Sequence, residues 1–145
     1  MSSPLPPYDD VSAPPAVREE IAQLSASLEA VVPRKRHFGR NLLVATWNLK
    51  DFGSLTEKWI AEDRDSPKRD FRALWAIAEI VSRFDIVALQ EVCGNLRALR
   101  TLMKTLGPRW RFLMTDVTRG ARGSGERMLG QETEYSVERF KERCR

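Results

Sequence analysis

Two apolar runs separated by a helix-forming segment constrain the fold of this chain more than any other feature. Residues 42–47 read Leu-Leu-Val-Ala-Thr-Trp, and residues 85–92 read Asp-Ile-Val-Ala-Leu-Gln-Glu-Val. Neither run alternates polar with apolar residues, which is typical of strands covered on both faces in layered α/β proteins. A strand, a helix and a second strand with short connections predict a parallel pair joined by a right-handed crossover.

The segment between the two runs predicts the crossover helix. Ser66 is a good N-cap, Pro67 suits the first helical position, and Asp70 falls near the positive end of the helix dipole. The apolar positions that follow share one helical face: Phe71, Leu74, Trp75, Ala78, Val81 and Phe84. The sequence therefore predicts a helix that begins after Ser66 and packs on the sheet through this face.

Parallel pairing brings two polar residues to the same edge of the sheet. Asn48 follows the first apolar run, and Glu91 lies near the end of the second. The carboxyl ends of parallel strands meet at one edge, and ligands of such sheets bind outside it. An amide and a carboxylate at that edge suit a hard divalent cation and a phosphate oxygen.

The N-terminal region predicts a tail followed by a short helix. Residues 1–16 are rich in Pro and Ser, and we expect them to form a disordered tail. Residues 17–32 carry apolar side chains at the spacing of an amphipathic helix, ended by Pro33. The helix covers only about two heptads, so docking on its own domain and pairing in a dimer are both open interpretations.

A basic stretch follows this helix and completes the segment 17–40. Its cations are Arg34, Lys35, Arg36 and Arg40, and the single histidine of the chain, His37, lies among them. The stretch is either a solvated linker or a patch that contacts the phosphates of a nucleic acid.

The region after Cys93 predicts a third helix and another strand. Asn95 is a suitable cap, and Gly107-Pro108 ends the apolar periodicity that begins at Leu96. Residues 110–114 alternate as a half-buried strand does, and residues 116–125 form a Gly- and Arg-containing loop.

Composition limits the class of protein. The chain has 145 residues, of which 42% are hydrophobic and 30% charged, with a net charge of +4, so it has room for one modest domain. The sequence has neither an apolar run of membrane-spanning length nor a secretory signal, and no membrane partner is expected. Cys93 and Cys144 fit neither a metal motif nor a disulfide framework, which favours a reducing compartment such as the cytoplasm.

Two segments resemble signatures of the endonuclease/exonuclease/phosphatase superfamily, in its bacterial DNase I-like branch. They are residues 45–49, Ala-Thr-Trp-Asn-Leu, and the run 85–92. Residues 115–118 and 125–127 are also similar to that branch, so the resemblance covers residues 41–128. It implies the N-terminal half of a four-layer α/β sandwich, with a mixed sheet and flanking helices.

The resemblance also implies a metal-dependent phosphodiester hydrolase, which is nuclease-like. Glu91 would bind Mg²⁺ or Mn²⁺, Asn48 would help hold the metal and the scissile phosphate, and Glu126 would orient a catalytic histidine. The substrate would be a nucleic acid or another phosphoester, cleaved by in-line attack of an activated water.

The chain departs from the family pattern in its C-terminal part. The family's Asp-x-Asn and Asp-His pairs are missing, His37 precedes the first core strand, and Cys93 stands where an arginine is common. Residues 129–145 form a divergent polar tail. We therefore expect an N-terminal fragment that is catalytically incomplete and self-associates through its incomplete sheet. A non-catalytic remnant and a small basic module that binds nucleic acid or a partner are the alternatives.

Overall fold

The parallel strand pair expected from the two apolar runs is present in the computed structural model, which describes residues 12–32, 42–114 and 125–131. Within these ranges the elements in chain order are α1 (Pro15–Val31), β1 (Val44–Phe52), α2 (Phe71–Val81), β2 (Ile86–Val92), α3 (Arg97–Leu106), β3 (Trp110–Met114) and β4 (Gly125–Gln131). The chain is therefore a mixed α/β protein, as predicted.

The four described strands form one mixed sheet in the order β1-β2-β4-β3. β1 and β2 are parallel, whereas β4 is antiparallel to both β2 and β3. β4 continues to Gln131, past the end of the resemblance at Met128. Backbone pairing thus extends into residues that the sequence assigned to a polar tail.

The predicted start of the crossover helix was wrong. α2 begins at Phe71, and its N-cap is Asp70 rather than Ser66. One Asp70 carboxylate oxygen accepts from the Ala73 amide at 2.9 Å, and the other accepts from the Ala61 amide at 2.8 Å. The buried Asp70 carboxylate thus binds both the first turn of the helix and the preceding loop. The loop contact is tertiary, so it could not be predicted from helix propensity.

The main core lies between one face of the sheet and the helices α2 and α3. Its buried residues are Leu49, Phe52, Leu55, Leu74, Ile77, Ala78, Val81, Val87, Leu89, Val92, Ala98, Leu99, Leu102 and Trp110. On the other face of the sheet, Val44 and Leu113 are 61% and 56% exposed, so apolar side chains there reach solvent. The expectation that both faces of these strands are covered is therefore not met within the described residues.

α1 docks on its own domain, which was one of the two interpretations of its apolar stripe. Val17 and Ile21 are buried in a second cluster with Trp75 of α2. Further along the helix, the buried Arg83 guanidinium donates to the Glu29 carboxylate at 2.6 Å and to the Ser25 carbonyl at 3.0 Å. α1 is therefore anchored by Val17 and Ile21 in its N-terminal part and by Arg83, which follows α2, in its C-terminal part.

The third helix and the strand after it form where they were expected. The N-cap of α3 is Leu96 rather than the predicted Asn95, although Asn95 Oδ1 accepts from the Arg97 amide at 3.0 Å just before the helix. The C-cap is Gly107, whose φ of 90° favours glycine. In β3, Trp110 is buried while Leu113 is exposed. No helix in the described ranges is long and apolar enough to cross a membrane.

Several predictions fall outside the described residues. They are residues 1–11 of the N-terminal tail, the basic stretch with Arg34, Lys35, Arg36, His37 and Arg40, the loop after β3, and residues 132–145. The end of the predicted tail was assigned wrongly, because Ala13 is buried and α1 begins at Pro15.

Candidate functional site

Asn48 and Glu91 meet at the carboxyl edge of the parallel pair. The Asn48 Nδ2 donates a hydrogen bond to the Glu91 Oε1 at 2.7 Å, although the two residues are 43 positions apart in the chain. Both side chains are exposed to solvent. The proximity that parallel pairing predicted from the sequence is confirmed.

A second hydrogen bond fixes the orientation of the Asn48 carboxamide. Its Oδ1 accepts from the Lys50 amide at 2.9 Å, so the oxygen faces a donor and the nitrogen faces the carboxylate. If the amide were reversed, its nitrogen would face the Lys50 N–H and its oxygen would face the Glu91 carboxylate, so both hydrogen bonds would be lost. One Glu91 oxygen is thereby directed by Asn48, and the carboxylate is held at the edge of the sheet.

The backbone changes conformation at the ends of both strands. The pairs run in register up to Asn48 and Gln90, and the next pair is Phe52 with Val92, which marks a bulge. Lys50, Asp51 and Glu91 have φ values of 41°, 50° and 57°. Left-handed conformations of residues other than glycine are costly and concentrate at functional sites. The bulge changes the direction of the side chains, which in a regular strand would point to alternating faces of the sheet.

Arg69 holds the bulged end of β1 from the loop before α2. Its guanidinium donates to the carbonyls of Leu49 at 2.7 Å, Lys50 at 2.9 Å and Asp51 at 3.0 Å. It also lies over the Phe52 ring, 5.1 Å from the centroid. Partial burial lowers the pKa of Arg69 from its ordinary value, and the nearby Cys93 and Asp51 oppose that shift. The sequence did not single out Arg69, because nothing in a polar loop marks one arginine as a backbone clamp.

The segment after β2 is attached to the same edge. The Cys93 amide donates to the Phe52 carbonyl at 3.1 Å, and the Ala98 amide donates to the Gly53 carbonyl at 2.9 Å. Asn95 Nδ2 donates to Ser54 Oγ at 3.1 Å. The start of α3 is therefore fixed beside the carboxyl ends of β1 and β2.

The described side chains supply a small donor set for a cation. Glu91 contributes one carboxylate, with the Asn48 amide beside it, and no group of three or more His, Cys, Asp or Glu residues gathers within the described ranges. Mg²⁺ commonly uses one or two carboxylates and keeps several waters. The pair therefore fits the minimum that a Mg²⁺ ion needs from a protein, and no more.

Glu126 lies in the strand next to Glu91. Its neighbours Gly125 and Arg127 pair with Val92 and Leu89 respectively, so its backbone lies beside the carboxyl end of β2. The role expected of its side chain stays a prediction, as do the nucleic-acid contacts of the basic stretch 34–40.

Comparison of the chain with known protein families, with curated proteins and with solved structures found no match. The functional argument therefore depends on the two sequence signatures and on the geometry at the carboxyl edge of β1 and β2.

Proposed function

We propose that this chain carries the first part of a metal-dependent phosphodiester hydrolase site of the endonuclease/exonuclease/phosphatase kind, nuclease-like in its substrate. In this proposal the described sheet is the N-terminal portion of a four-layer α/β sandwich. The observation that carries the proposal is the 2.7 Å hydrogen bond between Asn48 and Glu91, the matching residues of the two signatures. The left-handed backbone at Glu91 supports it, because a φ of 57° has a cost that a structural surface residue does not need.

The proposed roles follow from the contacts of each side chain. Glu91 offers a carboxylate oxygen to a divalent cation, Mg²⁺ or Mn²⁺, while its Oε1 stays bound to Asn48. Asn48 orients that carboxylate and, as its neighbour, comes close to a bound phosphate. A divalent cation at this position supplies positive charge to a phosphate oxygen and lowers the pKa of a bound water.

A second candidate function is a cation site without turnover. One observation favours it: within the described residues Glu91 belongs to no group of three or more His, Cys, Asp or Glu side chains that could hold a metal ion. Water at neutral pH is a poor nucleophile unless a base or a fully assembled metal site activates it. The pair would then bind a cation, and a phosphate through it, without hydrolysis.

The test compares three proteins for plasmid nicking with Mg²⁺: the full chain, Glu91→Gln and Glu19→Gln. Gln at position 91 keeps the shape of the side chain but removes its charge, and Glu19 is an exposed carboxylate on α1. The proposed site predicts that any nicking by the full chain is kept by the Glu19 variant and is lost in Glu91→Gln and with EDTA. Nicking that survives in Glu91→Gln would contradict the proposed role of this residue.

Calorimetric titration of Mg²⁺ into the same proteins separates the two candidates. Binding that depends on Glu91 without nicking supports the cation site without turnover. Absence of both binding and nicking in a folded sample rejects both functions.

A further inference from the structure

The third helix and its flanks carry a charge pattern unlike the rest of the chain. Between Val92 and Met114 there are five basic residues, Arg97, Arg100, Lys104, Arg109 and Arg111, and no Asp or Glu. The whole chain is nearly balanced, with 24 basic and 20 acidic residues. The one-sided charge is therefore local to this region.

Three of these cations share the solvent face of α3. Arg97, Arg100 and Lys104 are exposed, at the spacing of three and four residues that places side chains on one face of a helix. The opposite face is the buried one, formed by Ala98, Leu99, Thr101, Leu102 and Thr105. We call the three exposed cations the α3 basic stripe.

Of the three cations in the α3 basic stripe, only Arg97 has an acidic partner among the described residues. Arg97 pairs with Glu57 at 3.3 Å, and both side chains are more than half exposed, so this pair contributes little. The side chains of Arg100 and Lys104 have no ion-pair or hydrogen-bond partner among the residues that the structure describes. Lys104 lies in the last turn of α3, where a cation also interacts favourably with the negative end of the helix dipole.

The N-terminal end of the helix that carries the α3 basic stripe lies beside the carboxyl ends of β1 and β2. The start of α3 is bonded to the end of β1 through the Ala98 amide and the Gly53 carbonyl, 2.9 Å apart. From Arg97 to Lys104 the helix rises about 10 Å, over which one strand of duplex DNA carries about three phosphates. A strand segment of that length therefore carries about as many phosphates as the α3 basic stripe has cations.

We propose that the α3 basic stripe binds the phosphate backbone of a nucleic acid whose reacting phosphate lies at Asn48 and Glu91. The placement of the reacting phosphate rests on the proposed function, whereas the binding surface itself does not. A nucleic acid fits better than an anionic membrane, because Leu99 and Leu102 of α3 are fully buried in the core. The helix therefore has charge on its solvent face but no apolar side to insert among lipids.

The experiment measures binding of a short fluorescent duplex DNA by anisotropy, in EDTA, so that cleavage is not needed. The test variant is Arg100→Gln with Lys104→Gln. The control is Arg18→Gln with Arg72→Gln, which makes the same charge change at exposed positions of α1 and α2. Circular dichroism and thermal melting establish that both variants are folded.

We expect the α3 variant to bind about tenfold more weakly at about 0.1 M salt, with a log–log salt slope smaller by about 1.8, since two phosphate contacts are lost. The control should lose much less affinity and keep its slope. Equal losses in the two variants would mean that only net charge matters and would overturn the proposal. So would wild-type affinity in the α3 variant, or binding to phosphatidylserine vesicles without binding to DNA.

The outcomes also separate this inference from the proposed function. If the full chain cleaves a small phosphodiester but fails to bind duplex DNA at low salt, the α3 inference is wrong and the proposed function stands. If DNA binding depends on α3 but nicking is absent, the surface stands without the activity.

Discussion

Gly53 lies so close to Cys93 that a side chain at Gly53 would collide with it. A Cβ built on Gly53 would be 2.8 Å from the Cys93 Cβ and 3.4 Å from the Asn95 carbonyl oxygen. This approach lets the chain leaving β1 cross the chain leaving β2 directly beside Asn48 and Glu91. Glycine is needed here for space, because its φ is not in the left-handed region.

We expect Gly53→Ala to lower the free energy of unfolding by roughly 1–3 kcal/mol, since the two strand ends must move apart. Gly94→Ala is the matched control, because a Cβ there meets nothing within 4 Å. Urea unfolding measures both. Combining Gly53→Ala with Cys93→Gly should restore part of the loss, and a double variant no more stable than Gly53→Ala would contradict the steric explanation.

The strained backbone of Glu91 can be measured through its substitutions. At a φ of 57° we expect Glu91→Gly to be more stable than Glu91→Ala by about 1 kcal/mol. Both variants lose the carboxylate, so the difference reports the backbone alone. At Glu57, which lies outside the left-handed region, Ala should be the more stable of the two. If the Ala variant is the more stable one at position 91 as well, the backbone of Glu91 is not strained.

Arg83, which follows the C-cap of α2, should contribute far more to stability than Arg72, an exposed arginine of that helix. Its side chain is 1% exposed and pairs with Glu29 at 2.6 Å and Glu79 at 2.8 Å. We expect Arg83→Ala to cost about 3 kcal/mol in chemical unfolding, because it leaves carboxylates without their buried partner. Arg72→Ala, which breaks an exposed 3.7 Å pair with Glu20, should cost less than about 1 kcal/mol.

Hydrogen exchange tests whether Arg83 anchors α1. In Arg83→Ala the amides of α1 should exchange faster than those of β2, because the helix loses its bonds from Ser25 and Glu29 to the domain. Uniform acceleration in both elements would instead indicate a loss of global stability only.

The loop before α2 has a measurable signature in the titration of Asp65. A hydrogen bond from the Glu62 amide, and then the Lys58 ammonium, hold the pKa of Asp65 below its ordinary value of 3.8. A lowered pKa means that this stabilisation is fully present above pH 3.8 and is lost as the pH falls through the folded pKa. We expect carboxyl NMR to find the low pKa in the folded chain and the ordinary one in urea.

Lys58→Gln should raise the pKa of Asp65 only part of the way, since the Glu62 amide is the larger cause. A complete return to the ordinary value in this variant would assign the whole shift to the lysine.

The sequence predicted the meeting of Asn48 and Glu91 because a single rule, parallel pairing, carried the inference. Two apolar runs and a helical stripe were enough to define the pair, and the carboxyl ends followed from it. Local patterns were enough to place α3 and β3, although the N-cap of α3 is Leu96 rather than Asn95.

What the sequence did not predict depends on contacts between distant segments. The cap of α2 is Asp70 rather than Ser66 because Asp70 also binds the Ala61 amide. The clamp of Arg69 on three carbonyls and the left-handed φ of Glu91 have no counterpart in composition or periodicity. Such features arise only when the loops are packed against the strand ends.

The hydrogen bond between Asn48 and Glu91 joins residues 43 positions apart through a parallel pair that needs α2 between its strands. Parallel pairing is slow to form, because the closure of a long loop precedes any gain from its contacts. During synthesis Asn48 emerges well before its partner, and the edge that carries the proposed chemistry stays unmade until β2 is in place. We therefore expect the site to form late in folding, and the Asn48 side-chain amide resonance would report the completed sheet.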